Sequence, residues 1–308
     1  MKDAGKTLEN CRLCPRACGV NRIRGNVGYC GVGKEILVAH FGPHFGEEPP
    51  ISGTRGSGNV FFASCNLRCV YCQNFQISHE CKGKSVTLEG LVEIFFSLKD
   101  MGVHNINLVS PTPYVPFIAE AIECAKSKGI QIPFVYNSHG YETADALKML
   151  DGLIDIYLPD FKYWNSNIAE QLSFASNYPE SAKKAILQMK QQVGNLIVKG
   201  GIARKGTLVR HLVLPSNLAG SNRILLWIKE ELGVDTFISL MAQYNPMHKA
   251  TEYPMLARSI RQEEYDFLLN FLEEEGFNNV FIQDLESVKT YVPDFELEEP
   301  FLKQELRS

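Results

Sequence analysis

What most limits the folding of this chain is a repeated three-part unit: a short apolar run, a helical stretch, then a glycine. Six apolar runs recur, NVFFAS (59–64), NINLVS (105–110), IPFVYN (132–137), IDIYLP (154–159), TLVRHLVL (207–214) and TFISLMA (236–242). Helical stretches among and after them close at Gly102, Gly129, Gly194, Gly233 and Gly276, where glycine suits the left-handed residue that ends a helix. Apolar strands alternating with helices predict βα units around a parallel sheet covered on both faces. NVFIQD (279–284) reads as a short seventh strand. The expected fold is α/β: a partial (β/α)6 TIM-type barrel with a short cysteine-rich N-terminal extension. In such barrels the chemistry sits at the C-terminal ends of the strands.

Residues 1–50 break the pattern, being rich in Cys, Gly and Pro, and the tract from Phe41 to Gly58 reads as loop. The expected organisation is a cysteine-rich metal-binding region at 1–50, the barrel at 51–290 and a C-terminal tail at 291–308. With 45% of 308 residues hydrophobic, the chain can bury one large core. A net charge of −4 offers no field for nucleic acid or an anionic membrane surface. No apolar run approaches the roughly 20 residues that span a bilayer, and MKDAGKTLEN lacks the apolar core of a secretion signal. The expected compartment is the cytoplasm.

Seven of the nine cysteines fall between residues 11 and 72. A reducing compartment disfavours a disulfide framework, so this clustering points to metal ligation. Cys65, Cys69 and Cys72 have the spacing C-x3-C-x2-C directly after the first apolar run. Iron–sulfur cubanes are normally held by four cysteines, so three leave one iron open to another ligand. The same spacing would also form a buried helical stripe, but Asn66, Arg68, Gln73 and Asn74 make the segment too polar for that.

CNLRCVYCQN after a first barrel strand resembles the radical S-adenosylmethionine (SAM) superfamily, with Tyr71 directly before the third cysteine. Within it, residues 10 to 285 most resemble proteins similar to pyruvate formate-lyase activating enzyme. The resemblance implies a radical SAM oxidoreductase whose [4Fe–4S] cluster on Cys65, Cys69 and Cys72 cleaves S-adenosyl-L-methionine to a 5′-deoxyadenosyl radical. The backbone of Tyr71 is the implied contact for adenine. Ser110-Pro111-Thr112-Pro113 stands where relatives carry a Gly-Gly-Glu type segment, and its two prolines remove backbone donors. The Ser110 and Thr112 hydroxyls remain as acceptors for the cofactor's ammonium group. Asn137 and His139 fall where activating enzymes carry a polar cofactor contact. Lys162, accompanied by Asp160, matches a lysine that pairs with the methionine carboxylate. Gln243 and Asn245 replace a histidine-containing segment, with His248 displaced by three positions. Arg210 and His211 alternate in the fifth strand, so one faces inward, and the pattern leaves open which.

Cys11, Cys14, Cys18 and Cys30 read C-x2-C-x3-C-x11-C. Four thiolates in a loop-rich segment suit either a closed zinc site or an auxiliary [4Fe–4S] cluster. Cys81 and Cys124 stand apart and read as packing residues. Activation of a glycyl-radical protein is the leading expectation. The alternatives are radical modification of a small molecule, peptide or RNA, and a non-catalytic iron–sulfur or zinc scaffold. The implied partners are an electron donor such as flavodoxin or ferredoxin and, for an activase, a protein substrate.

Overall fold

The computed structural model describes residues 2–285 and 293–301. Ten strands form the framework among these residues: β1 (Ile36–His44), β2 (Ser57–Phe62), β3 (Lys84–Val86), β4 (Ile106–Val109), β5 (Phe134–Ser138), β6 (Ile156–Pro159), β7 (Ile197–Lys199), β8 (Ile202–Leu212), β9 (Phe237–Met241) and β10 (Val280–Ile282). The sheet order is β10-β9-β8-β6-β5-β4-β2-β1-β3. From β2 to β10 every pairing along this path is parallel. These seven strands are the six expected runs and the short seventh. Their order follows the sequence with no reversal, so the chain winds one way, as in a barrel, and lacks the switch point of a doubly wound sheet. Among the described residues the sheet does not close.

Helices cover the outside. The helix Leu88–Asp100 begins at Thr87, whose side chain accepts from the Gly90 N–H, and buries Leu91, Phe95 and Leu98. The helix Val115–Ser127 begins with a proline in its first turn and ends next to Gly129, which has φ +98°. Strand residues alternate as the pleat requires. Tyr136 and Tyr157 meet helix residues on the outer face. Val135, Ile156, Leu158 and Leu208 pack together on the inner face around Ile51. Ile51 belongs to a single helical turn, Pro49–Ser52, that fills one end of the half-barrel.

The first fifty residues are more ordered than their composition suggests. Lys2–Glu9 is helical, and Leu8, Leu13 and Val32 are buried in the main core. The expectation of loop from Phe41 to Gly58 is corrected at both ends. β1 runs through His44 and pairs antiparallel with β2, which begins at Ser57. Residues 41–44, FGPH, lack an apolar alternation because this part of the strand is half exposed. β1 and the short β3 instead cover the edge of the parallel sheet, which protects it from foreign pairing.

Candidate active site

The loop after β2 turns sharply at Ser64, with φ +74°, and delivers the cysteines to the C-terminal end of the barrel. Cys65 and Cys69 are buried, and Cys72 is partly exposed. All three line one cavity together with Ser110, Asn137, Lys162 and Arg210. Each sulfur already receives or shares a hydrogen bond. The Leu67 N–H donates to Cys65 Sγ at 3.3 Å, the Ser173 hydroxyl to Cys69 Sγ at 2.9 Å, and Cys72 Sγ lies 3.1 Å from the Ser78 hydroxyl. Ser173 continues into a polar chain, bonding Tyr163 at 2.7 Å, which bonds Tyr71 at 2.5 Å.

Burial, reinforced by the neighbouring Cys69, pushes the Cys65 thiol well above its ordinary range and the Cys72 thiol to about 11. Without a strong Lewis acid these groups stay protonated. Three soft donors lining one cavity, each with a hydrogen-bond partner, are the donor set an iron–sulfur cluster takes. The residues therefore fit the cluster that the sequence implies.

The same cavity is lined by a charged group. The Lys162 ammonium is 2.6 Å from the Asp160 carboxylate, and His139 Nδ1 lies 3.7 Å from the same oxygen. Burial alone would raise Asp160, but Lys162, His139 and Arg210 outweigh it and hold the carboxyl well below the usual carboxylate range. Burial likewise pulls Lys162 down, and Asp160 and Cys69 reverse that, so the lysine stays charged. The Ser110 hydroxyl lies 3.2 Å from His139 Nε2, and Ser110 itself adopts φ +58°.

The structure decides between Arg210 and His211. Arg210 shares the inner face with Leu208 and Leu212; it donates to Asn137 Oδ1 at 3.3 Å and pairs with Glu47 at 3.3 Å and Glu48 at 3.0 Å. His211 faces the helices, fully buried between the Phe161 carbonyl (2.7 Å) and the Ser221 hydroxyl (2.8 Å). Gln243 and Asn245 reach the cavity. His248 instead stacks on Phe75, with ring centroids 4.9 Å apart.

Thr112 is not brought to this cavity. Its hydroxyl donates to Glu142 at 2.7 Å, and it lines a second cavity formed by the four N-terminal cysteines. The prolines around it set a 3-10 turn that directs it away from the strand end.

Glu47 escaped sequence reasoning. It accepts from Asn59 at 2.8 Å and Asn107 at 3.0 Å and anchors Arg210 from below. Its only local signal was an acidic pair beside Pro49–Pro50 in a tract without periodicity. Pro293 and Phe301 also line the cavity, and Phe301 packs on Phe61 at a centroid distance of 5.4 Å. Residues 286–292 and 302–308, parts of the expected barrel end and tail, lie outside the described residues.

A sequence model of the radical SAM superfamily matches residues 59–202, which run from β2 to the start of β8. An uncharacterised protein of Methanocaldococcus jannaschii, MJ0674, is 29% identical over 90% of this chain and 78% of its own length. Among solved structures, the [FeFe]-hydrogenase maturase HydG aligns with a TM-score of 0.49 at 14% identity, over 71% of this chain and 48% of that one. This chain thus spans about half the length of that maturase. A domain of pyruvate-formate lyase-activating enzyme from Bacteroides vulgatus aligns with a TM-score of 0.41 at 12% identity, over 56% of this chain and 94% of that domain. Among the described residues, no helix is long and apolar enough to cross a membrane.

Proposed function

We propose, on the premise that this chain belongs to the radical SAM superfamily through residues 59–202, that the cavity at its strand ends binds S-adenosylmethionine beside a cluster held by Cys65, Cys69 and Cys72. The observation that carries this reading is the meeting of those three sulfurs with Lys162, Asn137 and Ser110 around one cavity. When bound, such a cluster would supply one electron for reductive cleavage of the cofactor's sulfonium to methionine and a 5′-deoxyadenosyl radical, which would take a hydrogen atom from substrate.

The protein's own contribution is binding, orientation and exclusion of water. Lys162 offers a point charge to the methionine carboxylate. Ser110 and Asn137 offer oxygen acceptors to the ammonium group. The Tyr71 backbone borders the place for adenine, and its ring is fixed by Tyr163 and by Tyr244, whose centroid lies 5.7 Å away. Leu67, Val109 and Met241 give the cavity apolar surface between these polar groups. A one-electron donor protein of the flavodoxin or ferredoxin class would supply the reducing equivalents.

Hydrogen abstraction from a glycine of a protein partner is the specific form we favour, on the resemblance of residues 10 to 285 to proteins similar to pyruvate formate-lyase activating enzyme. Anaerobic incubation with dithionite and S-adenosylmethionine should yield 5′-deoxyadenosine in wild type and none in Cys65→Ala, Cys69→Ala or Cys72→Ala. Cleavage at the wild-type rate in any of these variants would remove the basis of the proposal. Absence of product from a fully loaded wild-type protein would favour the non-catalytic scaffold. A stable glycyl-radical signal in a partner distinguishes the activase from an enzyme acting on small molecules, peptides or RNA. In the latter case, deuterium from a labelled candidate would pass into 5′-deoxyadenosine.

A further inference from the structure

Cys11, Cys14, Cys18 and Cys30 line one small cavity behind the loop that carries the barrel cysteines. A closed loop and a tight turn bring them there: the Cys11 N–H donates to the Val20 carbonyl and the Ala17 N–H to the Cys14 carbonyl, each at 3.0 Å. The Tyr29 N–H points at Cys18 Sγ from 3.4 Å.

The wall of this cavity contains a charge that meets no carboxylate among the described residues. Arg22 is 1% exposed. Among the described residues its partners are the Gly33 carbonyl at 2.8 Å, the Pro113 carbonyl at 2.7 Å and Cys11 Sγ at 4.0 Å, none of them a carboxylate. Its Nη2 is buried without a hydrogen-bond partner. A guanidinium taken out of water in this way requires an anion, and the thiols beside it become anionic once they bind a metal.

We infer that Cys11, Cys14, Cys18 and Cys30 hold a second [4Fe–4S] cluster, with the buried Arg22 guanidinium as its counter-ion. The four thiols line one shared cavity, as the barrel triad does, and a cubane gives each thiolate an iron of its own, whereas a single zinc would draw all four sulfurs to within ~3.8 Å of one another. Asn66 borders both sets. Asn66 belongs to the wall of the N-terminal cavity, while its Oδ1 lies 3.9 Å from Cys65 Sγ. Arg16 holds this wall in place by donating to the Asn66 carbonyl at 3.1 Å.

This inference concerns ligands that the proposed reaction does not use, so the two can fail separately. The test is anaerobic reconstitution of the full chain, read by iron and zinc content and by electron paramagnetic resonance after reduction. Wild type should hold about eight irons. The triple variant Cys65→Ala/Cys69→Ala/Cys72→Ala should keep about four, with a reduced-cluster signal that S-adenosylmethionine does not change. Cys11→Ser/Cys14→Ser should keep the other four and the signal that the cofactor perturbs. Arg22→Gln, which removes no ligand, should lower the reduction potential of the cofactor-insensitive signal alone, because the more negative reduced state loses a neighbouring cation. One zinc and no iron in the triple variant would overturn the inference, as would no metal and freely titrating thiols. Should that variant fail to fold, wild type decides: about four irons and no cofactor-insensitive signal overturns the inference equally.

Discussion

Lys162 Nζ lies 2.6 Å from Asp160 Oδ2 at the mouth of the half-barrel, and both side chains are largely withdrawn from water. The lysine is thereby held ready as a charge that a ligand carboxylate can share. Lys162→Ala should weaken S-adenosylmethionine binding about ten- to a hundred-and-fifty-fold while leaving iron content unchanged, since one hydrogen bond to a charged group contributes ~1.5–3 kcal/mol. Titration of the cofactor-induced change in the cluster's resonance signal measures it. Unaltered affinity would place the cofactor carboxylate elsewhere.

The same pair sets an acid limit on stability. Asp160 loses its proton at lower pH in the folded chain than in the unfolded one. Its contribution is therefore complete above the unfolded value near ~3.9 and is lost as pH falls through the folded one. Lys162→Ala removes the main attraction holding Asp160 ionised, so the midpoint of acid unfolding should move to higher pH. Circular dichroism along an acid titration tests this, and a coincident midpoint in both proteins would refute it.

Ser173 donates to Cys69 Sγ at 2.9 Å from a helix outside the three-cysteine loop. Hydrogen bonds to cluster sulfurs favour the reduced state. Ser173→Ala should keep the full iron content, lower the potential of the barrel cluster and slow cofactor cleavage at fixed reductant strength. If the potential stays at the wild-type value, the hydroxyl serves only the Tyr163 network.

Arg210 neutralises Glu47 and Glu48 inside the half-barrel. Removing one partner of a buried ion pair typically costs ~3–5 kcal/mol, because the remaining charge is stranded. Arg210→Ala should show a loss of that order in chemical denaturation. In a Glu47→Gln background the loss should be smaller, as less charge is left behind. Equal losses in both backgrounds would mean that Glu47 and Arg210 do not interact energetically.

Burial raises the Glu142 carboxyl to about 7, against the lowering effect of hydrogen bonds from Thr112 and Ser138. The folded chain thus holds this proton more tightly than the unfolded chain. The associated stability is present in acid and lost as pH rises from ~4.3 towards neutrality, on the order of 3 kcal/mol in all. Glu142→Gln should abolish that part of the pH dependence and be relatively more stable at pH 8. Parallel stability–pH curves for the two proteins would contradict the assignment.

The three-cysteine motif, the strand–helix–glycine repeat and the polar residues at strand ends were legible in the sequence by itself, because each is a local pattern. Cys65, Cys69 and Cys72 lie within eight residues, a helix end needs its glycine beside it, and strand residues alternate over short runs. Tertiary structure decided everything that depends on two distant segments meeting. Alternation said that Arg210 and His211 oppose each other, but only the arrival of Glu47 and Glu48 from a separate loop shows Arg210 to be the inner one. Thr112 is two residues from Ser110, yet a proline-set turn sends it to Glu142 and the N-terminal cavity. Arg22 had no sequence signal at all, since a surface arginine and a buried one are written alike. Its significance comes from desolvation, a property of the packed chain that no neighbouring residue in sequence reports.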